Sequence, residues 1–180
     1  EPDGPDGPAA HLKPDPSAPT FLQRTIDLIG AENVAIVTAR PEPAAEMTRT
    51  WLRSHGFPEC QIVFADLKAA VALRSGFSHA VEDSLRHARN YAAAGVNCFL
   101  VKAGDAAAFS HDDRISTADD LDDLFDIIAD HIAGRGTDAV TESITVTDAT
   151  TEASEGRTRS RIVISDAIHP GARERLAAAA

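Results

Sequence analysis

Four short apolar segments alternate with helix-like segments between residues 34 and 101, and this alternation restricts the fold more than any other feature. The apolar segments are 34–37, 61–64, 78–81 and 96–101. Continuous apolar strands separated by helices are typical of a parallel sheet that is covered by helices on both faces. The sequence therefore predicts an α/β fold with three layers and a mostly parallel, Rossmann-like sheet.

The composition divides the rest of the chain. Residues 1–18 are rich in Pro, Gly and Asp, which predicts a disordered tail, and the α/β domain would cover 19–134. Residues 135–160 are rich in Thr, Asp, Glu and Ser, which is typical of a disordered linker. Residues 161–180 have the pattern of a strand followed by a helix start, and we interpret them as the opening of a second domain.

An acidic segment closes the predicted α/β domain. Ser116 is expected to cap a helix that runs from about residue 117 to residue 133. We interpret the acids between Asp112 and Asp130 as a solvated helix face, because the Gly-punctuated spacing of a calcium loop is absent.

Charge and cysteine content limit the partners and the compartment. The net charge of −11 argues against a nucleic acid polymer, although a small phosphorylated ligand needs only a local positive pocket. Cys60 and Cys98 form neither a metal-binding spacing nor a disulfide framework, which favours a cytoplasmic location. No apolar run is long enough for a membrane helix, so no membrane partner is expected. The oligomeric state is left open.

Polar residues follow three of the predicted strands, at the sheet edge where α/β proteins carry their chemistry. Thr38 ends the first strand (VAIVTARP), Lys68 follows the second (ADLKAAVA), and Glu82 and Asp83 end the third (HAVEDSLRHA). A hydroxyl and an ammonium can bind phosphoryl oxygens, and carboxylates suit Mg²⁺. Structural roles are the alternative: local hydrogen bonding for Thr38, an exposed helix-start position for Lys68, and helix capping for the acids.

These phrases carry a resemblance to a known family. The stretch from Asn33 to Val101 resembles HAD (haloacid dehalogenase-like) superfamily phosphatases, and most closely the 5'(3')-deoxyribonucleotidase-like branch. The matching phrases are VAIVTARPEPAAEMTRTWLRSHGFP, ADLKAAVALRSGFSHAVEDS and HARNYAAAGVNCFLV. The resemblance implies Mg²⁺-dependent hydrolysis of a small phosphorylated substrate. It implies catalytic roles for Thr38 and Lys68, phosphate binding by both together with Ala39 and Arg40, and Mg²⁺ binding by Asp83 with Glu82 beside it. His79 and His87 are interpreted as structural.

The chain departs from the family at the nucleophile. In the family this is the first Asp of a DxD pair that follows an apolar strand upstream of the Thr motif, and the second Asp is the acid/base. No such segment precedes Thr38. One explanation is a fold that is incomplete at its N-terminus, since the chain begins at Glu1 rather than Met. The other is that the strand at 161–164 fills the central slot. Asp166 would then stand near the nucleophile's place, with Ile168 at the position of the second Asp.

Two further alternatives remain. Residues 161–180 resemble the start of 3-phosphoglycerate dehydrogenase-type 2-hydroxyacid dehydrogenases, which would make the chain part of a fusion. The GxGxxG dinucleotide fingerprint is absent from this sequence. The chain could also be a non-catalytic or degenerate fragment that binds phosphate at most.

Overall fold

A single parallel sheet organises the protein. The computed structural model describes residues 13–101, 112–138 and 160–165. Within them, six strands lie in the order β2-β1-β6-β3-β4-β5, and every neighbouring pair is parallel. The strands are β1 (Val34–Thr38), β2 (Gln61–Phe64), β3 (His79–Glu82), β4 (Asn97–Val101), β5 (Ile115–Ala118) and β6 (Ile162–Ile164). The helices are α1 (Ala18–Ile29), α2 (Ala45–Ser54), α3 (Lys68–Arg74), α4 (Leu85–Ala93) and α5 (Leu121–Asp138).

Helices cover both faces of the sheet, so the predicted α/β class and parallel sheet are confirmed. Along β1, Val34 and Ile36 pack with residues of α1, α2 and α5, whereas Ala35 and Val37 pack with residues of α3 and α4. This alternation follows from the two-residue period of a strand. Because both faces are buried, all five residues of β1 have to be small, apolar or locally hydrogen-bonded.

The strand that comes last in the chain lies at the centre of the sheet. Ile162 of β6 pairs with Val34 of β1 on one side and with His79 of β3 on the other, and all three residues of β6 have no exposed surface. The ladder continues past the strand, since the Ser165 amide donates to the carbonyl of Val81 at 2.9 Å.

This position corrects one expectation and decides between two explanations. The strand at 162–164 belongs to the sheet of the α/β domain, not to the opening of a second domain. Of the two explanations for the missing central strand, the structure has the second: β6 fills the slot, and its pairing on both sides satisfies the backbone groups that β1 and β3 would otherwise expose. The predicted tail at 1–12, most of the linker and residues 166–180 lie outside the described residues.

The route of the chain creates a switch point in the sheet. From β1 the chain moves outward to β2, and it then returns to β3 and continues outward to β4 and β5. The connections after β1 and β3 therefore leave in opposite directions. A crevice at the carboxyl ends of the strands is expected at such a point, and β6 lies in its middle.

The first helix begins earlier than the tail prediction allowed. Helix α1 starts at Ala18, and the turn before it is held by Asp15. The Asp15 carboxylate accepts hydrogen bonds from the Ser17 amide at 2.9 Å and the Ser17 hydroxyl at 2.7 Å. The predicted tail or loop therefore ends one residue earlier, since Ala18 is helical and an Asx-type turn at Asp15–Ser17 leads into α1.

The prediction that Ser116 caps an acidic helix was wrong. Ser116 lies in β5, the edge strand, where it pairs with Phe99. The helix starts at Leu121, and the Asp120 carboxylate accepts the amides of Asp122 and Asp123, both at 2.9 Å. Helix α5 continues to Asp138, into the predicted linker. No helix in the described parts of the chain is both long and apolar enough to cross a membrane.

Candidate functional site

Thr38 ends β1 with its side chain buried in the turn that follows. Its hydroxyl oxygen accepts a hydrogen bond from the Arg40 amide at 3.3 Å, and its carbonyl accepts one from the Ala65 amide at 2.8 Å. The local role foreseen for this hydroxyl is therefore present. Accepting a hydrogen bond uses a lone pair and not the hydroxyl hydrogen, so a role towards a phosphoryl oxygen is compatible with it. The exposed Ala39 and half-buried Arg40 complete the turn.

The Arg40 side chain is directed towards α2. Its Nη1 lies 3.5 Å from the hydroxyl of Thr48, which itself donates to the carbonyl of Ala44 at 2.9 Å. The backbone of Ala39 and Arg40 follows Thr38 directly, and the Arg40 amide donates to the Thr38 hydroxyl. The guanidinium contacts a neighbouring helix.

Lys68 and Glu82 form a buried ion pair. Lys68 is the first residue of α3 and only 6% exposed, and its Nζ lies 3.5 Å from Oε1 of Glu82, which has no exposed surface. The alternative of an ordinary exposed lysine is therefore wrong. Since β2 and β3 are three places apart in the sheet, about 14 Å at the usual strand spacing, the connection 65–67 and the long Lys68 side chain together reach from the end of β2 to Glu82.

His87 also lies close to Glu82. It lies in the first turn of α4, one third exposed, with Nδ1 3.6 Å from the same Oε1. Its Nε2 lies 3.2 Å from Nη2 of Arg86. A guanidinium can only donate, so Nε2 accepts, and in the neutral ring the hydrogen is then on Nδ1, facing Glu82. The sequence favoured a structural role for His87, because no spacing rule connects it to the strand-end motifs.

A cleft of about 580 Å³ lies between the beginnings of α3 and α4. Its polar lining consists of Asp66, Lys68, Arg86, His87, Asn90 and Tyr91. At one side, the Tyr91 hydroxyl lies 2.9 Å from the hydroxyl of Ser165, the residue that follows β6. The cleft therefore borders the carboxyl end of the central strand, and it joins Lys68 and His87 in one cavity.

The acids at the end of β3 differ in their fitness for Mg²⁺. Glu82 is fully buried and lies 3.5 Å from the Lys68 ammonium, so in this structure it is the counter-charge to Lys68. Asp83 is half-buried beyond the strand end and fits as a single carboxylate ligand. Within 13–101, 112–138 and 160–165, no group of three or more His, Cys, Asp or Glu side chains could hold a metal ion.

His79 agrees with its structural interpretation. Its ring is fully buried and stacks on Phe99, with centroids 5.7 Å apart, while His131 approaches at 5.2 Å edge-on. The Ser78 hydroxyl lies 2.8 Å from His79 Nδ1. This histidine belongs to the helix-covered core and not to the cleft.

The fold and the cleft define a parallel α/β protein with polar groups grouped at a topological switch point. No protein-family model, no curated protein and no solved structure matches the chain.

Proposed function

We propose that this chain is a phosphatase of the HAD-like type, whose central strand is supplied by β6, and that it hydrolyses small phosphomonoesters with Mg²⁺. One observation carries the proposal. Strand β6 lies between β1, which ends in Thr38, and β3, which ends in Glu82. The family resemblance requires a nucleophile-bearing strand in the centre of the sheet, and this chain has an Asp directly after Ser165.

The register of the sheet supports Asp166 as the nucleophile. Ile164 pairs with Ile36 on one side and with Val81 on the other. Counting two residues along each strand from these pairs leads to Thr38, Asp83 and, in the sequence, Asp166. Asp166 itself lies outside the described residues. Its proposed role follows from its place in the chain, two residues after Ile164.

The proposed roles divide the work of phosphoryl transfer among neighbouring strand ends. Asp166 attacks phosphorus and forms an aspartyl phosphate, which water then hydrolyses. Thr38 and the amide of Ala39 hold phosphoryl oxygens, Arg40 supports this turn through its amide, which donates to Thr38, and Lys68 places a buried positive charge nearby. Asp83 is the described residue that would hold Mg²⁺, together with Asp166. The cation neutralises part of the negative charge on the phosphoryl group.

The cleft and the charge of the chain support a small substrate. A volume of about 580 Å³ lies within the range of pockets for small ligands. The net charge of −11 disfavours a polyanion, whereas the cleft holds two cations, Lys68 and Arg86, beside Asp66, and Lys68 is paired with Glu82. A phosphorylated metabolite or a nucleotide meets both conditions.

A non-catalytic phosphate-binding protein is the second candidate, and one observation favours it. Residue 168, two after Asp166, is Ile, so the second acid of the family pattern is missing. A chain that binds phosphate at this edge without an acid/base would be a degenerate member of the class.

Hydrolysis of p-nitrophenyl phosphate with and without Mg²⁺ separates the two candidates. We expect Mg²⁺-dependent turnover that falls at least about 10³-fold in Asp166→Asn. Lys68→Met and Asp83→Asn should also lose most of the turnover. The control is Asp113→Asn, which changes an exposed acid near the amino end of β5.

The binding of inorganic phosphate by the same proteins, measured by calorimetry, completes the test. A folded parent that binds phosphate through Lys68 but shows no turnover would establish the non-catalytic alternative. A folded parent with neither property would overturn both candidates.

A further inference from the structure

We propose that a pocket between α2 and β2 binds a small apolar α-amino acid, with the side chain of the ligand inside and its two charged groups at the mouth. The pocket has a volume of about 310 Å³, near the lower end of the range for small-ligand sites. It shares no lining residue with the cleft between α3 and α4. Binding here does not depend on the proposed phosphatase function.

The pocket lies on the sheet face that α2 covers, opposite to α3 and α4. Ile36 of β1 and Ile62 of β2 are partners in the ladder, and both contribute to this face. Strand β2 is an edge strand of the described sheet. Ile36 is buried, whereas Ile62 is only half-buried. An apolar hollow therefore remains between α2 and the edge of the sheet.

Apolar groups form the interior of this pocket. Its lining includes the core side chains Ile36, Leu52 and Phe57 and the half-buried Ile62. The Cys60 thiol lines it as well, and burial raises the pKa of this thiol to about 11, as expected where little water reaches the sulfur. An aliphatic or aromatic side chain placed here would therefore gain from leaving water.

Charges of both signs lie at the mouth. Arg49 and Arg53 are four residues apart on α2, so their exposed side chains share one helix face. Arg49 donates to the Glu46 carboxylate at 2.7 Å, whereas Arg53 contacts only the uncharged hydroxyl of Thr50, at 3.4 Å. The exposed carboxylate of Glu59 lines the same pocket. Within the described residues, neither Arg53 nor Glu59 forms an ion pair.

This combination of charges selects the class of ligand. A guanidinium binds a carboxylate through two parallel hydrogen bonds, and an ammonium donates to a carboxylate such as that of Glu59. An α-amino acid carries both groups on the carbon that bears its side chain, so one molecule matches the mouth and the interior together. A fatty acid would bring its carboxylate close to Glu59, and an apolar amine would bring its ammonium close to Arg53. Like charges disfavour both.

Three ligands with the same branched hydrocarbon test the proposal by calorimetry on the full chain. They are L-leucine, 4-methylpentanoate, which lacks the ammonium, and 3-methylbutylamine, which lacks the carboxylate. We expect L-leucine to bind at least about 10-fold more tightly than either. The location is tested by N-ethylmaleimide labelling, which reports on Cys60 because Cys98 is only 1% exposed. L-leucine should slow this labelling.

Two exposed positions separate the roles of the charges without disturbing the core. Arg53→Gln should weaken the binding of L-leucine and of 4-methylpentanoate by about 10-fold or more. Glu59→Gln should weaken L-leucine by a similar factor but should not weaken 4-methylpentanoate. The matched controls are Arg74→Gln at the end of α3 and Glu42→Gln, both exposed and outside the pocket lining. They should leave the affinity unchanged.

Several results would overturn the assignment. Equal affinities for L-leucine and 4-methylpentanoate would make the pocket a simple carboxylate site. No binding of L-leucine at concentrations up to about 10 mM would remove the site altogether. Unchanged affinity in both Arg53→Gln and Glu59→Gln, or binding that leaves Cys60 labelling as fast as before, would place the ligand elsewhere on the protein.

Discussion

The hydroxyl of Tyr91 on α4 lies 2.9 Å from the hydroxyl of Ser165 at the end of β6, and both side chains are buried. This contact joins the central strand to the helix that carries His87. It spans two segments of the chain that are far apart in sequence, so it can form only after β6 has entered the sheet.

Removing one member of this hydrogen bond should destabilise the protein. Tyr91→Phe leaves the buried Ser165 hydroxyl without this contact, and we expect the free energy of unfolding in urea to fall by about 1–3 kcal/mol. The double variant with Ser165→Ala should lose less than the sum of the two single changes, since the second change then removes no further interaction. Strictly additive losses would show that the two hydroxyls do not interact in solution.

The buried pair of Lys68 and Glu82 should contribute far more than a surface pair. Lys68→Met leaves a buried carboxylate without its nearest ammonium, and we expect a loss of about 3–5 kcal/mol in the free energy of unfolding. Adding Glu82→Gln should restore part of this loss, because no charge then remains buried. Arg49→Met, which breaks the exposed pair with Glu46, serves as the control and should cost less than about 0.5 kcal/mol. Equal losses in the free energy of unfolding for Lys68→Met and Arg49→Met would contradict the buried position of the Lys68–Glu82 pair.

The central position of β6 can be tested through its core side chains. Ile164 has no exposed surface and packs in the core cluster shared with α1 and α5, so Ile164→Ala should destabilise by about 2–5 kcal/mol. Leu73→Ala, at an exposed position on α3, should change stability by less than about 0.5 kcal/mol. Thermal and urea unfolding measure both effects. A change at Ile164 no larger than that at Leu73 would place β6 outside the sheet.

The two cysteines should make stability fall in alkaline solution. Burial raises the pKa of the Cys60 thiol from 9.0 to about 11, and burial, with a smaller effect of the nearby Glu82 carboxylate, raises the pKa of Cys98 still further. Folding therefore favours the protonated thiols. This contribution is fully present below pH 9 and is lost as the pH rises through the folded-state pKa values.

The measurement is the free energy of unfolding between pH 8 and 11. The double variant Cys60→Ala/Cys98→Ala should be less stable than the parent at pH 8. Its free energy of unfolding should fall less than the parent's as the pH rises through this interval, which is roughly the range between the ordinary and raised thiol pKa values. An identical slope in parent and variant would mean that the thiols are not desolvated in the folded protein.

The elements with unbroken apolar patterns were predictable from the sequence. The strand at 61–64 was predicted with the observed bounds, and the others differed by a residue or two, because a short continuous apolar run is stable only when it is buried on both faces. Strand β5 was missed because Ser116 and Thr117 give it no such run. An edge strand needs less apolar surface, and its pairing with β4 is a tertiary effect that local sequence does not encode.

The arrangement of the site was less predictable than its members. The sequence indicates Lys68 and Glu82 separately, but their contact depends on the strand order, which brings the segment after β2 to the end of β3. His87 carried no motif, and only the fold brings it to Glu82. The slot filled by β6 was one of two explanations left open, because strand pairing between distant segments has no local signature.

The position of β6 also governs how the protein forms during synthesis. A chain emerges from the ribosome in order, so β1 to β5 are available while the segment that separates β1 from β3 has not yet been made. Until residue 164 emerges, the strand that joins β2-β1 to β3-β4-β5 is missing, so β1 and β3 each have an open edge. Such edges attract foreign strands and chaperones, so the nascent protein should be most vulnerable to aggregation immediately before translation reaches β6.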